Sequence, residues 1–501
     1  MIDDDSIPNI PDFFRGRDVF ITGGTGFMGK VLIEKLLRSC PDINNIFILI
    51  RSKKSKSPQE RIKALQDLPV FDLLREDNPK NFDKMVPILG DVMELGLAIN
   101  EEDKLRMANV SVVFHSAASV RFDDPLHEAV IMNTRGTREL MLFAETLKNL
   151  TVVVHVSTTY FNPLQRVVCE RTYAANGDWK ATIKLAEDFP EVLDVLTEKY
   201  INYEPNTYTF TKGLAEQVAI DFQHRLPIII FRPSIVISAM EEPIAGWVDN
   251  FNGPVGLLLA SGIGILRTTY GDPDIVSDFT PVDTSIKAMI VAAWKRATQP
   301  SSEPIVVYNC STSLQRKFTT GFIVTMGEEL SSHIPFDKML WRPGGSITKC
   351  RYHNFIKFIV FHICTAYIVD TIFKIIGQKQ FLVKLQRRIY AANLALEHFM
   401  LTHWVFENDC FLKLHDDIKP CDIKSFRYDN FITVDVREFF MDCMLGARRY
   451  LLHEKDENLP KARLNYKRMY LLDKVVKLVF YLGFIYFVLL KAGVLALVFG
   501  E

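Results

Sequence analysis

Tyr208 and Lys212 stand four residues apart in Tyr208-Thr209-Phe210-Thr211-Lys212, a spacing that puts both on one face of a helix. A phenol beside an ammonium ion is equipped for carbonyl chemistry. The phenol exchanges a proton at oxygen, and the cation favours phenolate, pulling down a pKa that is otherwise ~10 and about three units too high for easy exchange at neutral pH. A second donor for the substrate oxygen is expected at a strand end, where His155-Val156-Ser157-Thr158-Thr159-Tyr160 offers several hydroxyls. Thr158 is the first choice and Ser157 the next. Each feature has a plain alternative, since Tyr-x-x-x-Lys arises by chance on helix surfaces and Ser or Thr at a strand end is an ordinary turn residue.

Their order along the chain, behind a glycine-rich turn, argues against coincidence. Thr22-Gly23-Gly24-Thr25-Gly26-Phe27-Met28-Gly29-Lys30 follows the apolar run Val19 to Ile21 and opens a helical pattern. In that context Gly23 permits a tight turn, Gly26 lets backbone approach a pyrophosphate and Gly29 lets the helix pack close to the sheet. The helix N-terminus supplies N–H groups and a positive dipole. Thr22, Gly23, Thr25, Gly26, Phe27, Met28 and Gly29 are therefore the expected dinucleotide contacts. The spacing Gly-x-x-Gly-x-x-Gly differs from Gly-x-Gly-x-x-Gly and points to the dehydrogenase/reductase branch of such folds, and Lys212 can also bind the nicotinamide ribose. At the end of the second strand, Arg51-Ser52-Lys53-Lys54 offers a guanidinium fork and a point charge to a 2′-phosphate, so NADPH is favoured over NADH. Asp91, just past the third strand, is placed for the adenine amino group or, equally, to cap its loop.

These residues must be positioned by a sheet. Val19 to Ile21, Ile46 to Ile50, Val86 to Leu89, Val112 to Phe114 and Val152 to Val156 are β-rich runs, each followed by a helix-length segment. That alternation predicts an α/β, doubly wound parallel sheet. Ile228 to Phe231 and Ile305 to Tyr308 are two further strands, and the Gly/Pro-richer stretches between them are expected to form a substrate lobe. A length of 501 residues exceeds one core, and a net charge of −1 with 24% charged residues gives no basic field for nucleic acid. Eight scattered cysteines show neither paired nor Cys-x-x-Cys spacing, so no disulfide framework and no metal site are expected.

With these motifs in place the chain resembles the fatty acyl-CoA reductases, extended short-chain dehydrogenase/reductases of the animal and especially insect type. The resemblance covers about Arg15 to Gly446. It is carried by Thr22 to Lys30, His155 to Thr158, Tyr208 to Lys212, Phe231-Arg232-Pro233-Ser234-Ile235-Val236, Glu242-Pro243 with Gly246 to Asn250, and Asp278 with Pro281-Val282-Asp283. Gly24 and Thr280 depart from the family's usual Ala and Ile without touching a catalytic role. The resemblance implies that His115, Ala117 and Ala118 lie beside the cofactor and Pro233 and Ser234 near the nicotinamide amide. It also implies that long-chain acyl-CoA is reduced by two NADPH to a primary alcohol. A sterol or sugar-nucleotide dehydrogenase or epimerase would share the glycine turn and the Tyr/Lys pair, but Arg51 and the C-terminal part weigh against both. A non-catalytic NADPH-binding scaffold would be expected to lose the Tyr or the Lys.

The C-terminal third is apolar in two places. Phe355 to Ile376 carries Lys357, His362, Asp370 and Lys374 and reads as an interfacial, partly embedded or buried core helix. Leu478 to Phe499 is interrupted only by Lys491 and follows Lys461, Arg463, Lys467, Arg468, Lys474 and Lys477, so it reads as a membrane anchor with its basic flank in the cytosol. The expected layout is a catalytic domain over 1–340, a mostly helical domain over 341–460 and a transmembrane anchor over 474–499 on an intracellular membrane, endoplasmic reticulum or peroxisome. The apolar stretch Ile244 to Leu266 is a candidate acyl tunnel, although it would serve equally as core.

Overall fold

The structure, a computed structural model, describes residues 7–52, 57–202, 204–251, 254–299 and 303–491. The chain folds as two compact units that interleave in sequence. The described residues of Met1–Asp249, Ile275–Thr319 and Leu401–Cys443 form the first, and those of Asn250–Asp274, Thr320–Met400 and Met444–Glu501 the second. Compact units thus do not coincide with the stretches 1–340 and 341–460, because the chain returns after residue 400 to the first unit, where Val405–Phe406 pairs with Val167–Val168.

Seven strands build the sheet of the first unit: β1 (Asp18–Thr22), β2 (Asn45–Ile50), β3 (Met85–Leu89), β4 (Val110–His115), β5 (Val152–Val156), β6 (Ile228–Pro233) and β7 (Ile305–Cys310). Their order is β7-β6-β5-β4-β1-β2-β3 and every pairing is parallel. All seven strands expected from the sequence are present. The inner ones are buried on both faces, which is why they read as unbroken Val/Ile/Phe runs. Helices α2 (Gly136–Ala144) and α3 (Thr207–Asp221) pack on one face through a core that includes Phe20, Val113, Val153, Leu140, Met141 and Val218. Helices α1 (Phe27–Ser39) and α4 (Val282–Thr298) pack against each other, and α4 also packs on β5 and β6. This is a doubly wound, Rossmann-like sheet. The order reverses between β1 and β4, and the crevice outside the carboxyl ends of strands at such a switch point is where open α/β sheets bind ligands.

The second unit contains a two-stranded pairing of Thr268–Tyr270 with Ser346–Thr348 and the helices Arg351–Ile375, Leu382–Leu401 and Leu459–Lys491. Arg351–Ile375 is not a buried core helix: Phe358, His362, Ala366 and Asp370 form one buried stripe and most of its remaining apolar side chains are exposed. From Leu478 to Leu490 every large apolar side chain of the last helix is exposed, whichever way it points. Residues 492–499 of the expected anchor lie outside the described residues.

Candidate active site

Helix α3 begins where it does because Asn206 caps it, its side chain accepting from Thr209 N at 2.9 Å. That places Tyr208 in the first turn at the carboxyl edge of the sheet, and Lys212 one turn further on. The Tyr208 hydroxyl lies beside the side chain of Thr158, two residues beyond the end of β5. Burial raises the phenol to about 12, opposite to the lowering expected from a neighbouring ammonium, and Thr158 works the other way by favouring phenolate. The ring of Phe122 stacks on Tyr208, centroids 5.8 Å apart. Lys212 is 3% exposed and donates its Nζ to the Val156 carbonyl at 2.6 Å. Burial pulls its pKa down to about 8 and the Glu216 carboxylate partly offsets this.

Ser157 and Thr158 diverge although they are neighbours. Ser157 Oγ donates to Glu216 Oε1 at 2.6 Å, away from Tyr208. Glu216 also takes Arg232 Nε at 2.8 Å and Arg232 Nη2 at 2.7 Å, a pair buried to 1% and 0% exposure. Arg232 also donates to the Cys169 and Arg171 carbonyls. A fully bonded buried pair of this kind fixes geometry more than it adds stability. It clamps α3 to β6 directly under the strand end that presents Thr158.

His115 closes β4 beside Thr22. Its Nδ1 lies 2.7 Å from Thr22 Oγ1 and its Nε2 lies 3.1 Å from Thr137 Oγ1. Burial, with Lys212 nearby, holds its pKa down at about 3, so it is a neutral structural imidazole. The His155 ring sits 5.5 Å away and is likewise kept neutral by burial. Asn133 ties the post-β4 loop to α3: its Oδ1 accepts from Ser119 N at 2.8 Å and its Nδ2 donates to Thr211 Oγ1 at 3.0 Å.

The glycine turn fits a dinucleotide. Gly23 has φ +75°, and a Cβ there would meet Ala117 N at 2.7 Å, so the turn and the Ser116–Ala117 segment are in close contact. A Cβ on Gly29 would strike Gly23 O at 2.3 Å, so Gly29 lets α1 close onto the turn itself. Gly26 differs: only Gly23 O at 3.1 Å comes near, and its outer side is open. It caps α1 with no side-chain bond, leaving the first-turn N–H groups, flanked by half-exposed Thr25, Phe27 and Met28, directed at whatever binds there. Phe27 stacks on Trp247 at 5.3 Å, while Glu242 bonds Lys35 at 2.9 Å and Lys287 at 2.7 Å, so the loop after β6 is clasped to α1 and α4.

At the end of β2, Arg51 is half exposed and its Nε lies 3.2 Å from Asp91 Oδ1. Asp91 also caps its own loop, accepting from Met93 N at 3.0 Å. Lys53 lies outside the described residues. Pro233 ends β6, and Ser234 turns its hydroxyl to Thr280 Oγ1 at 2.8 Å. Glu216, Asn133 and Phe122 were not singled out from the sequence. Glu216 repeats the Tyr208/Lys212 spacing once more and could have been found that way, whereas nothing local marks Asn133 or Phe122.

An NAD-binding family model described as "Male sterility protein" matches residues 21–289, and a second model of the same description matches residues 361–454. The chain is 35% identical over 470 residues to "Fatty acyl-CoA reductase 1" of Mus musculus, covering 92% of this chain and 90% of that one. It is 36% identical over 471 residues to "Fatty acyl-CoA reductase wat" of Drosophila melanogaster, covering 94% and 90% respectively. Among solved structures it resembles the reductase domain of a non-ribosomal peptide synthetase from Mycobacterium tuberculosis, with TM-score 0.58, 17% identity, and coverage of 90% of this chain and 96% of that one. The terminal R domain of the myxalamid pathway gives TM-score 0.57 at 17% identity, covering 88% and 92%. Those two likenesses concern the fold.

Proposed function

The chain belongs to the fatty acyl-CoA reductase family, an NAD(P)-binding reductase family, and from that premise we propose that it reduces long-chain acyl-CoA to a primary fatty alcohol with NADPH. The observation that carries this reading is the placing of the Tyr208 hydroxyl beside Thr158 at the sheet's carboxyl edge, with Lys212 one turn behind it. Thr22 to Gly29 and the open N-terminus of α1 would hold the pyrophosphate, and Arg51 would meet the 2′-phosphate. His115, Ala117 and Ala118 would lie beside the cofactor, His115 as a buried support for Thr22, and Pro233 and Ser234 near the nicotinamide amide. When bound, the cofactor supplies hydride to the carbonyl carbon.

The chain's own residues handle the oxygen. A thioester carbonyl that becomes tetrahedral gathers negative charge on oxygen, and two fixed hydroxyls, Tyr208 and Thr158, stabilise it. Tyr208 then passes its proton to that oxygen, and the Lys212 ammonium stabilises the phenolate left behind. As the resulting hemithioacetal collapses, its hydroxyl proton returns to the Tyr208 phenolate, the C–S bond breaks, and CoA thiolate and an aldehyde are released. The same pair serves a second reduction of that aldehyde to the alcohol.

A membrane setting suits a substrate whose every buried methylene contributes about 0.8 kcal/mol to partitioning and whose product is insoluble. The exposed apolar helix from Leu478 onward, behind six Lys/Arg, supports a C-terminal anchor with the catalytic unit in the cytosol, on endoplasmic reticulum or peroxisome. The deciding experiment incubates detergent-solubilised protein with NADPH and a panel of saturated acyl-CoAs, with lipid products read by mass spectrometry. Fatty alcohol with two NADPH consumed per CoA released is the expected result, and NADPH binding without any acyl-CoA reduction would overturn the proposal.

A further inference from the structure

The helix Arg351–Ile375 is inside out. Two of its polar side chains, His362 and Asp370, face the protein: His362 Nε2 accepts from Arg267 N at 3.0 Å and Thr268 N at 3.2 Å, and its Nδ1 lies 2.9 Å from Gln386 Oε1. Asp370 takes the N–H groups of Phe381 and Leu382 at 3.1 Å and of Val383 at 2.9 Å, capping the next helix. Phe355, Ile356, Phe361, Ile368, Ile372 and Ile375 all point outward and are 49–78% exposed. A water-soluble helix would present the opposite arrangement.

At about 1.5 Å per residue the helix is long enough to cross a bilayer core of about 30 Å, and among the described residues it alone is both long and apolar enough. Its buried face argues against a crossing. Asn354 at its start accepts from Thr268 Oγ1 at 2.8 Å, so the paired strands Thr268–Tyr270 and Ser346–Thr348 would have to enter hydrocarbon with it. The return helix Leu382–Leu401 runs back alongside, with Phe358 stacked on Tyr390 at 4.6 Å and Arg351 3.8 Å from Glu397. It carries exposed Lys384, Arg387 and Arg388, and irregular backbone and cations at membrane depth are costly. Lying flat requires neither.

Charge selects the occupant of the apolar face. From Arg351 to Arg388 the chain has seven Lys/Arg and one Asp/Glu, and that acid is the buried Asp370. A second copy would bring the same positive charge, whereas an anionic lipid surface complements it. We propose that Arg351–Ile375 is a monotopic, in-plane helix that seats its apolar face among the acyl chains of one anionic leaflet, with both its ends on the same side. This rests on the reading that the protein works at a bilayer, and it is independent of the C-terminal helix.

Two native thiols report on it, Cys350 at the helix start and Cys364 on the outward face, both exposed. The full chain carrying Lys379→Cys is added to sealed phosphatidylcholine/phosphatidylserine vesicles, floated, and treated with a membrane-impermeant maleimide. Labelling is read peptide by peptide against exposed Cys421. Cys350 and the position 379 thiol are expected to label from outside as fast as Cys421, with Cys364 at least about tenfold slower through burial in lipid. In a Phe361→Glu/Ile368→Glu variant that still binds NADPH, Cys364 should label like Cys421. Equal labelling of Cys364 in the parent would place the face in water, and a thiol at either end that reacts only after lysis would make the helix a span. Either overturns the proposal while leaving the bilayer reading intact, whereas a chain that does not float with vesicles removes both.

Discussion

Ser157 Oγ donates to Glu216 Oε1 at 2.6 Å, while the adjacent Thr158 lies beside the Tyr208 hydroxyl. Two neighbouring hydroxyls therefore turn different ways, one holding the strand end and the other placed, in the proposed mechanism, to meet the reacting oxygen. Thr158→Ala should lower kcat about 10²-fold with thermal stability nearly unchanged, as expected for loss of one oxyanion donor. Ser157→Ala should cost about 1–3 kcal/mol of stability, because it leaves a buried acceptor site short of a partner, with the smaller loss of kcat. Steady-state kinetics alongside thermal unfolding separates the two, and the reverse pattern would exchange their roles. Tyr208→Phe should reduce turnover by about 10²–10⁴-fold with NADPH affinity retained.

The Arg232–Glu216 pair is fully buried, so removing one charge strands the other. Glu216→Gln is expected to destabilise the fold by about 3–5 kcal/mol, read from urea unfolding. It also removes the carboxylate that holds the Lys212 pKa up, so any residual activity should decline at lower pH than in the parent. A variant of unchanged stability would show that the pair does not clamp α3 to β6.

Lys212 titrates low, at about 8 against an ordinary 10.5, with burial the main cause. Between those two values the unfolded chain still holds a proton that the native state has lost. The unfolded state then binds more protons, and the Lys212 contribution to stability rises with pH across that window. Activity should move in the opposite direction, because the mechanism needs the ammonium: kcat is expected to fall above pH about 8. Lys212→Arg should remove that limb, since a guanidinium does not titrate there. A parent profile that stays flat to pH 10 would sink the assignment of the limb to Lys212.

Much of this site could be read from spacing, because the relevant geometry is local. The Tyr208/Lys212 face follows from helical periodicity, the glycine turn from its place between strand and helix, and the seven strands from burial on both faces. What escaped is what the chain assembles across distance. Thr22 and His115 meet although 93 residues apart, and the Glu216–Arg232 pair depends on helix–strand packing across 16 residues. The direction of a helix's polar stripe escaped for a related reason. His362 and Asp370 could be counted in the apolar run around them, but facing inward depends on Arg267, Gln386 and the 381–383 backbone.

The three glycines of the turn should respond differently to alanine. Gly29→Ala drives a Cβ to 2.3 Å from Gly23 O and should destabilise the domain, while Gly23→Ala meets both an unfavourable φ of +75° and Ala117 N at 2.7 Å. Gly26→Ala has room within the protein, with its nearest neighbour at 3.1 Å, but fills the space over the α1 N-terminus. It should weaken NADPH binding with little change in melting temperature. Differential scanning fluorimetry and a fluorescence titration on the three variants test this. If Gly26→Ala binds NADPH as tightly as the parent, the pyrophosphate does not sit on that turn.

Arg51 should set the choice between NADPH and NADH. It ends β2, is half exposed, and is held near the crevice by Asp91 at 3.2 Å and by the Met132 sulfur at 3.0 Å. A half-exposed ion pair contributes little to stability, so Arg51→Ala should leave the fold intact. A 2′-phosphate would gain charge-assisted bonds of about 1.5–3 kcal/mol from the guanidinium. Losing them corresponds to a rise of about 10–100-fold in the Kd for NADPH with little change for NADH. Arg51→Lys should recover only part of the preference, since an ammonium cannot reproduce the bidentate fork. Equal loss of affinity for both cofactors would mean that Arg51 supports the end of β2 through Asp91 and does not read the phosphate, and the NADPH preference would then have to come from elsewhere in the chain.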